Sequence, residues 1–213
     1  MCSNFQAITP AHADWVQKHF QCEIPYSSWR EESYPMYSSP FIWLEDNQAR
    51  CELASFGLVP GWAADRPRFG TRTYNARSET IAEKPSYRSA WKRKQFGLAL
   101  MQSFYEPNYE SGKAVRWRIK RQDAEPLAVA SIWERYVSRE TGEICFSFSM
   151  ITVNATDHKV MKRFHGPDDE KRSIVVLQDS EYRPWLEANH DSARALLKLS
   201  PDDFFTSEPA SRK

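Results

Sequence analysis

Four side chains far apart in the chain carry reactive chemistry: Cys2, Asn75, Glu106 and His165. Cys2 follows the initiator methionine, and a small second residue permits removal of Met1. A bare N-terminal cysteine offers two nucleophiles on adjacent carbons. Its α-amine has a reference pKa of about 7.7–8.0 and its thiol about 8.5, so both are partly unprotonated near neutral pH. An aldehyde condenses with the amine to an imine, and the thiol then closes on the imine carbon to give a five-membered thiazolidine. Glu106 ends the run Phe104-Tyr105-Glu106, just after an apolar stretch. Desolvation there raises a carboxyl pKa towards the range useful for proton transfer. His165 stands in a turn before Gly166-Pro167, and histidine passes protons at neutral pH. Each has a plainer reading: Cys2 as a small residue behind a methionine, Glu106 as an exposed strand end, His165 as a structural histidine. His12, His19, His158 and His190 take that reading outright. No histidine has a metal-ligand spacing to cysteine or carboxylate, so no metal and no other cofactor is expected.

Asn75 belongs to the block Tyr74-Asn75-Ala76-Arg77-Ser78-Glu79-Thr80. Ser78 suits a helix N-cap with Glu79 in the first turn, predicting a short helix to about Lys84. Asn75 and Arg77 then precede a helix start, a place for anion recognition. The plainer reading is a capped helix with a solvated arginine.

Charge is unevenly spread, although the net charge is only +1. Residues 66–77 hold Arg66, Arg68, Arg72 and Arg77 and no acid. Residues 88–122 hold nine basic residues, among them Arg93, Arg116, Arg118, Lys120 and Arg121, against Glu106 and Glu110. On one face they would form a basic track, and interleaved aromatics such as Tyr74, Trp91, Tyr105 and Trp117 would add base stacking. Such a track predicts single-stranded DNA binding that weakens steeply with salt. The alternative is a set of solvated exteriors.

These residues need a scaffold. Thr9-Pro10 opens a helix carrying Trp15, Val16 and Phe20. Residues 21–40 read as loop. Strands are predicted at Phe41–Leu44, around Cys51–Phe56 after an Asp46-Asn47 turn, at Phe96–Met101, at Val115–Lys120 with a basic outer face, at Leu127–Trp133, at Cys145–Val153 and at Ser173–Leu177. Short helices are expected near Tyr87–Trp91, after Thr156 or Asp157, at Glu181–Ala188 and at Ser192–Leu199. Strands in runs without βαβ alternation predict an α+β single domain, with a largely antiparallel, barrel-like β-sheet and flanking short helices. The domain is drawn at 1–200, with a polar, frayed C-terminal tail at 201–213. No stretch of eighteen apolar residues predicts a membrane span, and no signal peptide is seen at Met1–Thr9. Four widely spaced cysteines fit a reduced cytoplasmic protein, nucleoid-associated when bound to DNA.

Cys2, the run Phe56-Gly57-Leu58-Val59-Pro60-Gly61-Trp62, the block from Asn75 to Thr80, Phe104-Tyr105-Glu106 and Phe164-His165 occur in that order. This pattern resembles the SOS-response-associated peptidase (SRAP) family of abasic-site processing proteins over residues 2 to about 190. The resemblance implies a sensor of abasic sites in single-stranded DNA, in the DNA damage response. The ring-opened sugar would supply the aldehyde for a covalent crosslink through Cys2. It further implies peptidase-like removal of Met1, possible lyase activity, Asn75 orienting the Cys2 amine or the sugar, and Arg77 holding a flanking phosphate. Ser78, Trp62, Arg72 and Tyr74 complete the implied DNA-binding set, and a monomer is expected. The chain departs from the family where Ser3-Asn4 replace Gly-Arg, and where Tyr34-Pro35-Met36-Tyr37 replaces a loop with proline and asparagine. Ser103 and Pro107 replace a glycine and a tryptophan around the glutamate run. Gly166 to Arg172 stands where an Arg-Met-Pro run is usual.

Two other functions compete. One is an N-terminal-nucleophile cysteine amidohydrolase, in which Cys2 attacks an amide. It needs an oxyanion hole, often from glycine-rich backbone, and the chain has 7 glycines. The other is a non-catalytic member that binds single-stranded DNA reversibly.

Overall fold

The computed structural model describes residues 2–63, 66–138 and 141–211. Met1, whose removal is expected, and the side chain of Arg66 lie outside the described residues. In chain order the elements are β1 (Phe5–Ala7), α1 (Ala13–Phe20), β2 (Glu32–Ser33), β3 (Ser38–Glu45), β4 (Gln48–Phe56), α2 (Arg66–Gly70), β5 (Asn75–Arg77), α3 (Arg88–Lys92), β6 (Phe96–Asn108), β7 (Val115–Arg121), β8 (Leu127–Val137), β9 (Ile144–Asn154), β10 (Arg172–Ile174), β11 (Val176–Leu177), α4 (Tyr182–Leu186), α5 (His190–Leu196) and β12 (Phe205–Pro209). Strands β8, β9, β4, β3 and β6 pair in a ring, and β6 returns to β8, closing a five-stranded barrel. The pairings are antiparallel except β9 with β4 and with β5. This is the α+β, barrel-like architecture expected.

Strand alternation creates two cores. Phe41, Ala54, Phe56, Ala99, Met101, Val129, Phe148 and Met150 fill one, with Phe148 stacked on Phe41 at 4.8 Å and on Phe56 at 5.4 Å between centroids. Ile42, Leu98, Leu100, Ala128, Ala130 and Ile151 face the other way, beneath Trp15, Val16, Tyr182 and Trp185 of α1 and α4. The predicted Asp46-Asn47 turn joins β3 to β4, both residues at positive φ (49° and 63°), as a two-residue hairpin requires. Gly57 ends β4 at φ 124°, where an added Cβ would lie 2.2 Å from the Gly70 carbonyl oxygen. Only glycine fits that approach.

Several local expectations are corrected. Ser78 caps no helix, because Asn75–Arg77 is a strand against β9 and residues 78–84 form successive turns. The pull of β9 on the backbone outweighs local capping preference, and the Ser78 N–H donates to the Thr152 carbonyl at 3.0 Å. The segment after Asp157 forms a single 3-10 turn, Met161–Arg163. Ser173–Leu177 divides into β10 on β9 and β11 on β8. The 21–40 loop contains the short strand β2, paired with β1. The segment from 201 is not frayed throughout: β12 pairs along β7 and buries Phe205 against Phe104. The basic face of β7 is not open either. Arg116 pairs with Glu32, and Arg118 and Lys120 pair with Glu208. No helix among the described residues is long and apolar enough to cross a membrane.

Candidate active site

Cys2, Asn75, Glu106 and His165 come from four separate segments and are all buried. Cys2 leads into β1, and its Sγ donates to the Asn4 carbonyl at 3.5 Å. Asn75 opens β5, in register with Met150, whose side chain is in the Phe148 core. Its Nδ2 donates to the Cys2 carbonyl oxygen at 2.7 Å, and the Tyr87 hydroxyl donates to the Asn75 backbone carbonyl at 2.9 Å. Its Oδ1 is buried and has no hydrogen-bond partner among the described residues. An orphaned buried acceptor costs about 1–3 kcal/mol and calls for a reason.

A β-bulge aims Glu106. Gln6 pairs with Ser103 but Ala7 pairs with Met101, so Gln102 is an extra residue in β6. The bulge shifts the alternation: Ala99 and Met101 face the Phe148 core before it, Phe104 after it, and Glu106 continues the Phe104 face. Glu106 thus lies inside β6, where the sequence placed it just past a strand. Burial pushes its carboxyl up to about 7. Burial, with the Glu106 charge adding to it, also pushes the Cys2 thiol well above its usual range, so the resting sulfur is protonated.

His165 follows the 3-10 turn at φ 70°, unusual for a side-chain-bearing residue. Its N–H donates to the Pro107 carbonyl at 3.0 Å, tying the loop to the end of β6. Its Nε2 lies 2.9 Å from the Arg172 carbonyl oxygen, which can only accept. Nε2 therefore carries the proton, and Nδ1 is turned to Glu106 Oε2 at 3.4 Å. Burial lowers the His165 pKa, so neutral imidazole faces a carboxyl that holds its proton to near neutrality. The pair is arranged to pass one proton.

The implied DNA-binding residues are less tightly grouped. Tyr74 is half-buried; burial first, then the charges of Cys2 and Glu106, raises its hydroxyl pKa, which puts it in electrostatic reach of both. Arg77 lies two residues after Asn75 on β5 and is about half exposed, paired with Glu170 at 2.7 Å. Ser78 begins the turns beyond it. Trp62 is exposed, edge-on to Phe69 at 5.0 Å, and Arg72 is exposed after α2. A cavity of about 410 Å³, lined by residues that include Ser3, Asn4, Tyr34, Tyr105 and Arg116, opens beside the Glu106 carboxyl. A larger one of about 550 Å³, near Phe20 and Arg50, touches none of the candidate residues. Among the described residues no three His, Cys, Asp or Glu side chains are arranged to hold a metal ion. The sequence did not single out Arg172, whose carbonyl sets the His165 tautomer, or Tyr87. A lone arginine opening the buried segment 172–177 was the available signal for Arg172.

The profile of the family described as SOS response associated peptidase (SRAP) matches residues 1–213. The chain belongs to the SRAP family. Abasic site processing protein YoqW of Bacillus subtilis is 30% identical over 145 residues, 68% of this chain and 60% of that protein. Abasic site processing protein HMCES of Xenopus tropicalis is 24% identical over 176 residues, 73% of this chain and 51% of that protein. The chain thus spans only part of these curated relatives. Among solved structures, a Bordetella bronchiseptica protein superposes with a TM-score of 0.89 at 30% identity, covering 99% of this chain and all of that one. A Bacteroides thetaiotaomicron protein shares the fold at a TM-score of 0.83 and 20% identity. In this SRAP chain Asn75 holds the Cys2 carbonyl and His165 faces Glu106, so the four residues meet in one buried site.

Proposed function

We propose that this SRAP protein captures abasic sites in single-stranded DNA by forming a thiazolidine at Cys2 once Met1 has been removed. The observation that carries the reading is the meeting of Cys2, Asn75, Glu106 and His165 in one buried site. Removal of Met1 frees the Cys2 amine. The orphaned Asn75 Oδ1, on the amide already holding the Cys2 carbonyl, supplies an acceptor for it. The amine attacks the aldehyde carbon of the opened sugar. Glu106 gives a proton to the departing oxygen, which leaves as water, and an imine forms. The thiol then adds to the imine carbon: the S–C bond forms, Glu106 takes the thiol proton, and the former imine nitrogen gains one. His165 Nδ1 relays protons to and from Glu106. The high thiol pKa fits this order, amine first and sulfur second. The names of YoqW and HMCES support the choice of lesion.

The test is a denaturing gel with an abasic single-stranded oligonucleotide. Wild type is expected to give a denaturant-resistant complex without reductant. Cys2→Ala should give one only when borohydride reduces the imine, and an uncleaved N-terminal tag should abolish both. A tagged protein that crosslinks as stably as the processed one rules the mechanism out.

A further inference from the structure

Arg77 and Arg172 share one carboxylate. Glu170 Oε2 accepts from Arg77 Nη1 at 2.7 Å, and Glu170 Oε1 accepts from Arg172 Nη1 at 2.6 Å. Two guanidiniums bridged by two oxygens of one anion form a seat that matches the non-bridging oxygens of a phosphodiester. Its two walls differ. The Arg172 side chain is 2% exposed and is held independently by Glu79 Oε2 and by the Thr152 carbonyl, each at 2.8 Å. The Arg77 and Glu170 side chains are 49% and 41% exposed. Departure of Glu170 leaves the buried Arg172 charge paired with Glu79 and the Thr152 carbonyl, while Arg77 Nη1 and Arg172 Nη1 both become open to an entering anion. Arg77 shares a strand face with Asn75, so the seat adjoins the amide that holds Cys2.

We propose that Glu170 stands in for a DNA phosphate on Arg77, and that a backbone phosphodiester beside the reacting sugar displaces it. The proposal rests on single-stranded DNA being the partner. Glu170 is then a specificity-determining residue: the entering anion must outcompete a carboxylate already in place. Entering and leaving groups each carry a negative charge at this contact, so the exchange keeps the arginine pair compensated. Half-exposed ion pairs are individually weak, so the competition should reduce affinity about two- to fivefold without blocking the site.

The test is a double-mutant cycle on the full chain, read by fluorescence anisotropy with an undamaged single-stranded oligonucleotide. Glu170→Gln is expected to bind about two- to fivefold tighter than wild type. The gain should vanish in an Arg77→Ala background. Glu45→Gln, which removes an exposed carboxylate paired with Arg50, is the control for net charge and should not reproduce the gain. Unchanged affinity of Glu170→Gln overturns the proposal, as does a gain that persists without Arg77 or is matched by Glu45→Gln. The same proteins are scored for crosslinking to an abasic strand. A crosslink without coupling between Glu170 and Arg77 overturns the stand-in and leaves the chemistry. Coupling without a crosslink overturns the chemistry and leaves the stand-in.

Discussion

Glu106 and His165 face each other in a buried setting. The Arg172 carbonyl holds the imidazole proton on Nε2, and burial disfavours the charged form of both side chains. The arrangement has a thermodynamic signature. The Glu106 pKa rises from an ordinary 4.5 to about 7 on folding, so its contribution to stability is complete below about 4.5 and is lost as pH rises through 7. His165 acts oppositely: its pKa is lowered, so its contribution is present above its ordinary 6.5 and is lost as pH falls below it. Glu106→Gln has no carboxyl to ionise. Between pH 5 and pH 8 its urea-unfolding free energy should gain on that of wild type by on the order of 2 kcal/mol. A pH-independent difference would show that Glu106 is not shifted. The same variant should slow crosslinking more than it weakens DNA binding, because it keeps the shape of the side chain and removes the proton carrier. Equal crosslinking rates would remove Glu106 from the mechanism.

At the scale of elements, β1, β5, β6 and the loop after the 3-10 turn each deliver one reactive residue, and β9 organises much of the rest. It pairs with β4, β5, β8 and β10, and so fixes both Asn75–Arg77 and Arg172. The segment after Ser200 has an architectural role through β12. Phe205 is buried against Phe104, on the same face of β6 as Glu106. Phe205→Ala should cost about 3–5 kcal/mol, the usual range for truncating a buried phenylalanine. Equilibrium denaturation that shows less than about 1 kcal/mol would return residues 201–211 to the status of a tail.

Over the whole molecule, charge is less available than its distribution along the chain implies. Of the basic residues between 88 and 122, Arg93, Arg116, Arg118, Lys120 and Arg121 are held by Glu134, Glu32, Glu208, Asp123 and Asp179. An arginine already paired with a carboxylate contributes little to counterion release. Single-stranded DNA affinity should therefore fall with salt along a shallow line, its log–log slope about −2 to −3, equivalent to about three or four phosphates. A slope steeper than about −5 would mean that the basic strand is used after all.

The reactive residue types were legible in the chain order alone: Cys2 behind a removable methionine, Glu106 after an apolar run, His165 before a turn, Asn75 and Arg77 in one block. So was the barrel-like sheet, because the apolar run at 96–101 and the period-two alternation at 115–120 are properties of neighbouring residues. Three decisions were made only in three dimensions. The local signal for a cap at Ser78 lost to pairing with β9. The direction of Glu106 depends on one unpaired residue, Gln102, whose presence as a bulge is defined only against β1. The ion pairs that quiet β7 and seat Glu170 on Arg77 join residues 84 to 93 positions apart. Alternation and capping are short-range and can be read along a chain; register and charge pairing depend on which distant strands meet.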